Sequence, residues 1–303
     1  MKFSLVQDSR LGTREINEDR IGHWSTSGSL LMVVADGLGG HLHGEIAAQI
    51  AVDLLGKAFQ KEARPKVEKA RDFLPRNMSA VHGAIIQEAA MRNLRDVPRT
   101  VLVACVVQDG VAHWAHIGDS RLYLFRKGRI HARTRDHTLV QQLVDQGRVR
   151  EEAVLTHPER NRLLQCLGGL QPPQIDSASE RLAKGDILLL CSDGFWGPLT
   201  QRQMLNALLA RPVEQAVTEL VALAESRAGD DCDNTSVVAI SWGEEQVRPA
   251  DEGPRTVPYN ELPTDVQDFT ATNPDFLRMS DEDIEKAIAE IKAALRKTPA
   301  PGQ

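Results

Sequence analysis

Four aspartates in this chain stand at the ends of short apolar runs, each beside a small or polar neighbour. Leu31–Ala35 runs into Asp36-Gly37-Leu38-Gly39-Gly40, and Ile187–Cys191 into Ser192-Asp193-Gly194. His113–Ile117 runs into Gly118-Asp119-Ser120, and the run Ser236–Ile240 begins just after Asp233-Asn234. Any one of these reads as an ordinary turn former. Four together suggest strands that share a sheet end and gather carboxylates into one small volume. Two like charges about 4 Å apart repel by ~4 kcal/mol at an effective dielectric of about 20, so such a cluster needs protons or cations. All-oxygen donors suit hard divalent ions, Mg²⁺ or Mn²⁺. The glycine after Asp36 leaves room for a backbone carbonyl to reach the same ion. Two ions roughly 3.5–4 Å apart can turn a bridging water into a nucleophile and steady an in-line displacement at phosphorus.

Competing motifs fail on their chemistry. Gly39 to Gly44 has the spacing of a phosphate-binding loop between a strand and a helix, but Glu45-Ile46 follows where lysine and a hydroxyl residue belong. An acid there would repel phosphate. A dinucleotide fingerprint fails because Leu42 holds the third glycine position. His41 and His43 offer transition-metal ligands, yet as loop residues beside many acids they read as solvated. Cys105, Cys166, Cys191 and Cys232 form no CxxC pair, and Cys105 and Cys191 lie in apolar runs as small core residues. Between Arg121 and Arg135 stand Arg121, Arg126, Lys127, Arg129, Arg133 and Arg135 with no acid. That stretch reads as a solvated strand face, or alternatively as a docking patch for acidic or multiply phosphorylated partners. Nucleic acid is not expected, for aromatic interleaving is lacking and the net charge is −6.

The elements that must position these residues follow from composition and periodicity. The 303 residues are 42% apolar and 26% charged, which excludes wholesale disorder. No run of 18 apolar residues exists to span a membrane. The start meets Asp8 before any signal-length apolar core, so a cytoplasmic, reduced protein is expected. Strand-like runs cover Leu30–Ala35, Thr100–Val107, Val111–His116, Arg121–Arg126, Ile187–Cys191 and Ser236–Ile240. Helices are expected over Glu45–Phe59, with a stripe of Ile46, Ile50, Leu54 and Ala58, and over Phe73–Asn93 and Met204–Arg227, the last split at Pro212. Too few helices intervene for a doubly wound parallel sheet. One domain over 1–243 is expected, then a Pro-rich linker over 244–279 and an amphipathic helix over 280–297. Ser280 and Asp283 resemble a capping box there, and Ile284, Ile288, Ile291 and Leu295 form one stripe. That stripe wants a surface, either this protein's own domain or a partner protein.

Six segments in order resemble the metal-dependent protein phosphatases of the protein phosphatase 2C type, in wording nearest the bacterial serine/threonine phosphatases. They are Arg14-Glu15-Ile16-Asn17-Glu18-Asp19-Arg20; Val34-Ala35-Asp36-Gly37-Leu38-Gly39-Gly40 with Gly44; His116-Ile117-Gly118-Asp119-Ser120-Arg121 with Tyr123; Thr134-Arg135-Asp136-His137-Thr138; Leu189-Leu190-Cys191-Ser192-Asp193-Gly194; and Asp233-Asn234-Thr235-Ser236-Val237-Val238. The resemblance spans roughly residues 3–242. It implies an α+β fold, an α-β-β-α sandwich of two antiparallel sheets flanked by helices with metals at one end. It implies hydrolysis of phosphoserine and phosphothreonine by a metal-activated water, with Mn²⁺ or Mg²⁺ as cofactor. Asp36 would bridge two core metals, the Gly37 carbonyl would reach one of them, and Asp193 and Asp233 would complete the pair. Asp119 would help bind a third, weaker metal. Glu18 and Asp19 would hold metal-bound waters, Arg14 would clamp the substrate phosphate, and a flap over about 145–168 would cover the cleft. Phosphorylated proteins, a serine/threonine protein kinase among them, are the implied partners.

The pattern departs from the family in three places. Leu38 stands where some relatives carry a histidine proposed as general acid, so leaving-group protonation falls to a water or another group. The usual Gly-Thr-Thr-Leu before the middle strand appears as Pro98-Arg99-Thr100-Val101-Leu102. Asp231 lies two residues before Asp233, and the Asp-Asn pairing favours Asp233 as the ligand. Alternatives to an active protein phosphatase are an inactive phosphoprotein-binding relative, which the full set of acids argues against, and a hydrolase of small phosphoesters.

Overall fold

The computed structural model describes residues 1–38 and 43–243. The expected linker over 244–279, the helix over 280–297 and His41 lie outside the described residues. In chain order the elements are β1 (Phe3–Arg10), β2 (Arg20–Ser25), β3 (Ser29–Gly37), α1 (Gly44–Glu62), α2 (Ala70–Met91), β4 (Thr100–Gln108), β5 (Val111–Ile117), β6 (Arg121–Arg126), β7 (Arg129–Arg133), α3 (Leu139–Asp145), β8 (Asp176–Arg181), β9 (Ile187–Cys191), α4 (Asp193–Trp196), α5 (Gln201–Ala210), α6 (Val213–Ala228) and β10 (Thr235–Trp242). Two five-stranded sheets form, in the orders β1-β10-β9-β6-β7 and β2-β3-β4-β5-β8, and every pairing is antiparallel. Helices α1 and α2 pack on the second sheet, α5 and α6 on the side of the first. The result is the α-β-β-α sandwich.

Strand alternation explains why the central runs are apolar throughout. On β3, Leu31, Val33 and Ala35 face α1 and α2, while Leu30, Met32 and Val34 face the other sheet. On β10, Val237 and Ala239 face α6, while Val238 and Ile240 enter the inter-sheet layer. A strand covered on both faces carries no polar alternation. Each fully buried aliphatic side chain in these layers contributes about 1.5–3 kcal/mol.

No separate strand is expected from the sequence at β1, β2, β7 or β8, although β7 falls in the basic stretch read as a strand face. These four are the sheet edges. Asp176–Arg181 is polar and largely exposed and Arg129–Arg133 only half-buried, so no apolar run announces them. Helix α1 also differs from its expected stripe. Its buried face is Ala47, Ala48, Ala51, Val52, Leu55 and Phe59, and Ile50, Leu54 and Ala58 are only partly buried. The small alanines let the helix lie close against β3, and the larger side chains fill its flank. Pro212 is the N-cap of α6 and separates it from α5, as the split at that residue anticipates.

Segment 145–168 holds the end of α3, a 3₁₀ turn at Glu151–Thr156 and irregular chain. Its far end is tied down. Leu167 and Thr100 exchange backbone hydrogen bonds of 2.9 and 3.2 Å, and the Leu164 N–H donates to the His137 carbonyl at 2.8 Å.

Candidate active site

Register brings the aspartates to one end of the sandwich. Gly37 lies opposite Thr100 and Leu102 opposite Ile117, so Asp36 and the turn at Asp119 share an end of one sheet. In the other sheet Arg121 and Val237 flank Cys191, which gathers Asp119, Asp193 and Asp233. Between them opens a cleft of about 780 Å³ whose lining includes Arg14, Glu18, Asp36, Gly37, Asp119, Asp193 and Asp233. Asp19 does not line it. That residue is 3% exposed and accepts a 2.7 Å hydrogen bond from the Ser192 hydroxyl behind the cleft. Asp231 is exposed in a 3₁₀ turn outside the cleft lining.

Hydrogen bonds from distant segments hold the cluster. Ser192 Oγ, which donates to Asp19, also accepts from the Ser236 N–H at 3.0 Å. Asn234 Oδ1 accepts from the Glu18 N–H at 2.8 Å, and its Nδ2 donates to the Leu11 carbonyl at 2.8 Å. The Thr100 hydroxyl donates to the Asp36 carbonyl at 2.7 Å, so the threonine that survives in the altered Pro98-Arg99-Thr100 stretch still braces the strand end. Trp196 Nε1 donates to the Asp119 carbonyl at 3.0 Å. Gly37 has no room for a side chain, since a Cβ there would lie 2.5 Å from the Gly44 carbonyl. Gly118 holds φ at +97°, a left-handed value that lets the chain turn into Asp119. Ser192 and Asn234 stood beside aspartates already singled out, but nothing in the sequence marked Trp196.

The electrostatics are those of an uncompensated cluster. Burial first, then the charges of Asp19, Asp193, Asp119 and Asp233, push the Asp36 carboxyl well above the ordinary aspartate range. Asp119 is raised by burial and then by Asp193 and Asp136. Asp193 is pushed up to about 6 by burial and by Asp233. Asp19 is pushed up to about 8, chiefly by burial, against the stabilising hydroxyls of Ser192 and Ser236. Burial and Glu45 raise Glu18. Opposite charge is scarce. Arg14, exposed at the rim, reaches Asp233 Oδ2 at 2.8 Å. A hard divalent cation fits this donor set, because every group is a carboxylate or carbonyl oxygen and the surplus negative charge is what a cation would neutralise.

Behind the cleft the charges are paired. Arg121 is buried and its guanidinium grips both oxygens of Asp136, at 2.8 and 2.6 Å. This corrects the solvated reading for Arg121. Arg126 pairs with Asp186 and Glu180, Arg133 with Glu151, and Arg135 with Asp145. Lys127, Arg129 and, despite its ion pair, Arg135 are exposed. His43 is exposed, 3.7 Å from Glu45. A second group of side chains, His116, His137 and Asp176, has ligand atoms within 4.8 Å of one another. Hydrogen bonds account for much of it: His116 Nε2 donates to the Arg135 carbonyl, His137 Nδ1 accepts from the Gly118 N–H, and His137 Nε2 faces Asp176. These contacts anchor the turn that presents Asp119.

The model of the family described as protein phosphatase 2C matches residues 6–228. The chain belongs to the protein phosphatase 2C family. Streptococcus pneumoniae protein phosphatase PhpP is 31% identical to it over 248 residues, covering 81% of this chain and 99% of that protein. Mycobacterium tuberculosis serine/threonine protein phosphatase PstP is 34% identical over 238 residues, 78% of this chain and 44% of that longer protein. The crystal structure of M. tuberculosis PstP/Ppp superposes with a TM-score of 0.71 at 30% identity, covering 81% of this chain and 100% of that one. The PstP catalytic domain in complex with two manganese ions superposes with a TM-score of 0.67 at 30% identity, over 79% of this chain and 97% of that one. The two antiparallel sheets flanked by helices are therefore the protein phosphatase 2C fold, and the family is metal-dependent. Among the described residues of this protein phosphatase 2C member, no helix is long and apolar enough to cross a membrane.

Proposed function

We propose that this protein is a metal-dependent phosphatase of phosphoserine and phosphothreonine in proteins. The convergence of Asp36, Asp119, Asp193 and Asp233 with Glu18 and Arg14 on one open cleft carries this reading. Asp36, the Gly37 carbonyl, Asp193 and Asp233 are assigned to two Mn²⁺ or Mg²⁺ ions, and Asp119 to a third, weaker one. Such ions, when bound, generate a nucleophile from water near neutral pH and offset phosphoryl charge. Glu18 and Asp19 are assigned to metal-bound waters, Asp19 from behind the cleft, where the Ser192 hydroxyl holds it beside Asp36. Arg14 exchanges Asp233 for the substrate phosphoryl group. Its exposed ion pair is worth only ~0–1 kcal/mol, whereas a phosphoryl dianion takes the guanidinium fork through charge-assisted bonds. Leu38 carries no titratable group, so the leaving group takes its proton from water or from another group in the cleft.

The cleft mouth favours a polypeptide over a small phosphoester. Ile16, Leu164 and Leu170 lie on its rim with 57%, 45% and 91% of their surface exposed. Apolar side chains around a polar cleft suit contact with a peptide chain. A serine/threonine protein kinase of the same cell is the proposed opponent and substrate. Four free cysteines suit a reducing, cytoplasmic compartment. The C-terminal stripe of Ile284, Ile288, Ile291 and Leu295 is assigned to docking on this domain or on a partner protein. Release of phosphate from phosphothreonine and phosphotyrosine peptides, with Mn²⁺ and with chelator, tests the reading. Metal-dependent turnover of the phosphothreonine peptide is expected. Full turnover in excess chelator overturns it.

A further inference from the structure

Arg99 has no part in the reaction as described, yet it lines the same cleft. It stands just before β4, in the stretch where the sequence departs from the family pattern. Its carbonyl accepts from the Leu38 N–H at 3.0 Å, next to Asp36-Gly37, and its charge reaches the Cys166 thiol on the facing segment. The Arg99 Nε atom is buried and has no hydrogen-bond partner among the described residues. Arg14, Arg121, Arg126, Arg133 and Arg135 each have a carboxylate; among the described residues none is within ion-pair distance of Arg99. A buried donor without an acceptor is costly; the terminal nitrogens of the same guanidinium are not among the buried unpartnered atoms and have no partner among the described residues, so they are the atoms a group in the cleft would meet.

The two cleft cations also enter from different sides. Arg14 comes from the β1–β2 loop and rests on Asp233, before β10 of one sheet. Arg99 precedes β4 of the other sheet, beside the end of β3. A substrate whose reacting phosphoryl group meets Arg14 and the aspartates therefore passes a second, unpaired guanidinium. We propose that Arg99 forms a second anion subsite, which takes a phosphoryl or carboxylate group carried by the same polypeptide near the reacting residue. The proposal rests on the phosphatase reading and adds a preference for substrates that are acidic or multiply phosphorylated.

The test uses the full chain with Mn²⁺ and a series of phosphothreonine peptides. Each neighbouring position carries in turn a second phosphothreonine, a glutamate or an alanine, and mass spectrometry assigns the site dephosphorylated first. Wild type should favour the best second-anion peptide over its alanine counterpart by about tenfold in kcat/KM, through KM, as expected of one charge-assisted contact. Arg99→Gln should bring that ratio close to one, and Arg99→Lys should keep part of it. The phosphothreonine and glutamate arms distinguish the two anions. A wild type with no preference, or an Arg99→Gln protein that retains the full preference, overturns the subsite. Equal loss on every peptide in both variants also overturns it, because Arg99 would then serve the metal cluster or the fold. A wild type that turns over none of the peptides removes the phosphatase reading itself, an outcome distinct from turnover without preference.

Discussion

Two charged regions adjoin at one end of the sandwich, and they are built on opposite terms. Around Arg121 every charge is answered: Asp136 takes two of its donors, the Tyr123 hydroxyl takes a third at 2.9 Å, and the Trp196 ring lies 3.4 Å from the guanidinium. In the cleft, Asp36, Asp119, Asp193 and Asp233 repel one another, and among the described residues Arg14 on Asp233 is the one cation in ion-pair contact with them. Trp196 belongs to both regions, stacking on Arg121 and donating to the Asp119 carbonyl. The satisfied region supplies rigidity, because a buried bidentate pair fixes two side chains in one geometry. The unsatisfied region is left for ligands, and its cost is tolerated because its neighbour holds it in place.

Substitutions should separate these roles. Asp36→Asn should lower turnover by about a thousandfold or more, the scale of several kcal/mol of lost metal assistance, and leave the far-ultraviolet circular dichroism unchanged. Substantial activity with full metal binding would place the cluster outside the chemistry. In the paired region Asp136→Ala should do the reverse. Leaving Arg121 buried without its partner should cost roughly 3–5 kcal/mol in denaturant unfolding. Asp136→Ala with unchanged stability would show that Trp196 and Tyr123 suffice, and the contrast between the regions would weaken.

Arg14→Ala should raise KM for a phosphopeptide about tenfold with little change in kcat or metal affinity. An unchanged KM would make Arg14 a surface ion pair only. The smallest effect is on stability against pH. Folded Asp193 and Asp19 hold their protons up to about 6 and about 8, against about 4 in the unfolded chain. The folded state thus binds more protons, so this contribution is complete below about pH 4 and is lost as pH rises through 6 and 8. In chelator the thermal midpoint should fall by a few degrees between about pH 5 and pH 8.5, and Mn²⁺ should raise it most at the alkaline end. A midpoint in chelator that rises with pH would show that the cluster is compensated by groups other than cations.

Much of the fold was legible. Central strands carried unbroken apolar runs because both their faces are covered, and Pro212 marked a real break between helices. The edge strands were not legible, because Asp176–Arg181 buries almost nothing and its pairing is decided by Val111–His116 next door. On α1 periodicity found the helix but not its face, since the alanines that permit close approach to β3 carry a weaker signal than Ile50 and Leu54.

By itself the sequence determined the central strands and the long helices between them, the aspartates at strand ends and the family pattern, all of which are local in the chain. Only the tertiary structure decided which charges are answered and which are not. Arg14 meets Asp233 across 219 residues, Glu18 meets Asn234 across 216, and Asp19 meets Ser192 across 173. The basic run from Arg121 to Arg135 looked uniform in sequence, yet Arg121 is locked on Asp136 while Arg129 is exposed. Arg99, one arginine among many in the sequence, is the one whose buried Nε lacks a partner among the described residues. The strength of a charge's interactions depends on burial and on neighbours within a few ångströms, and those are set by how distant segments pack.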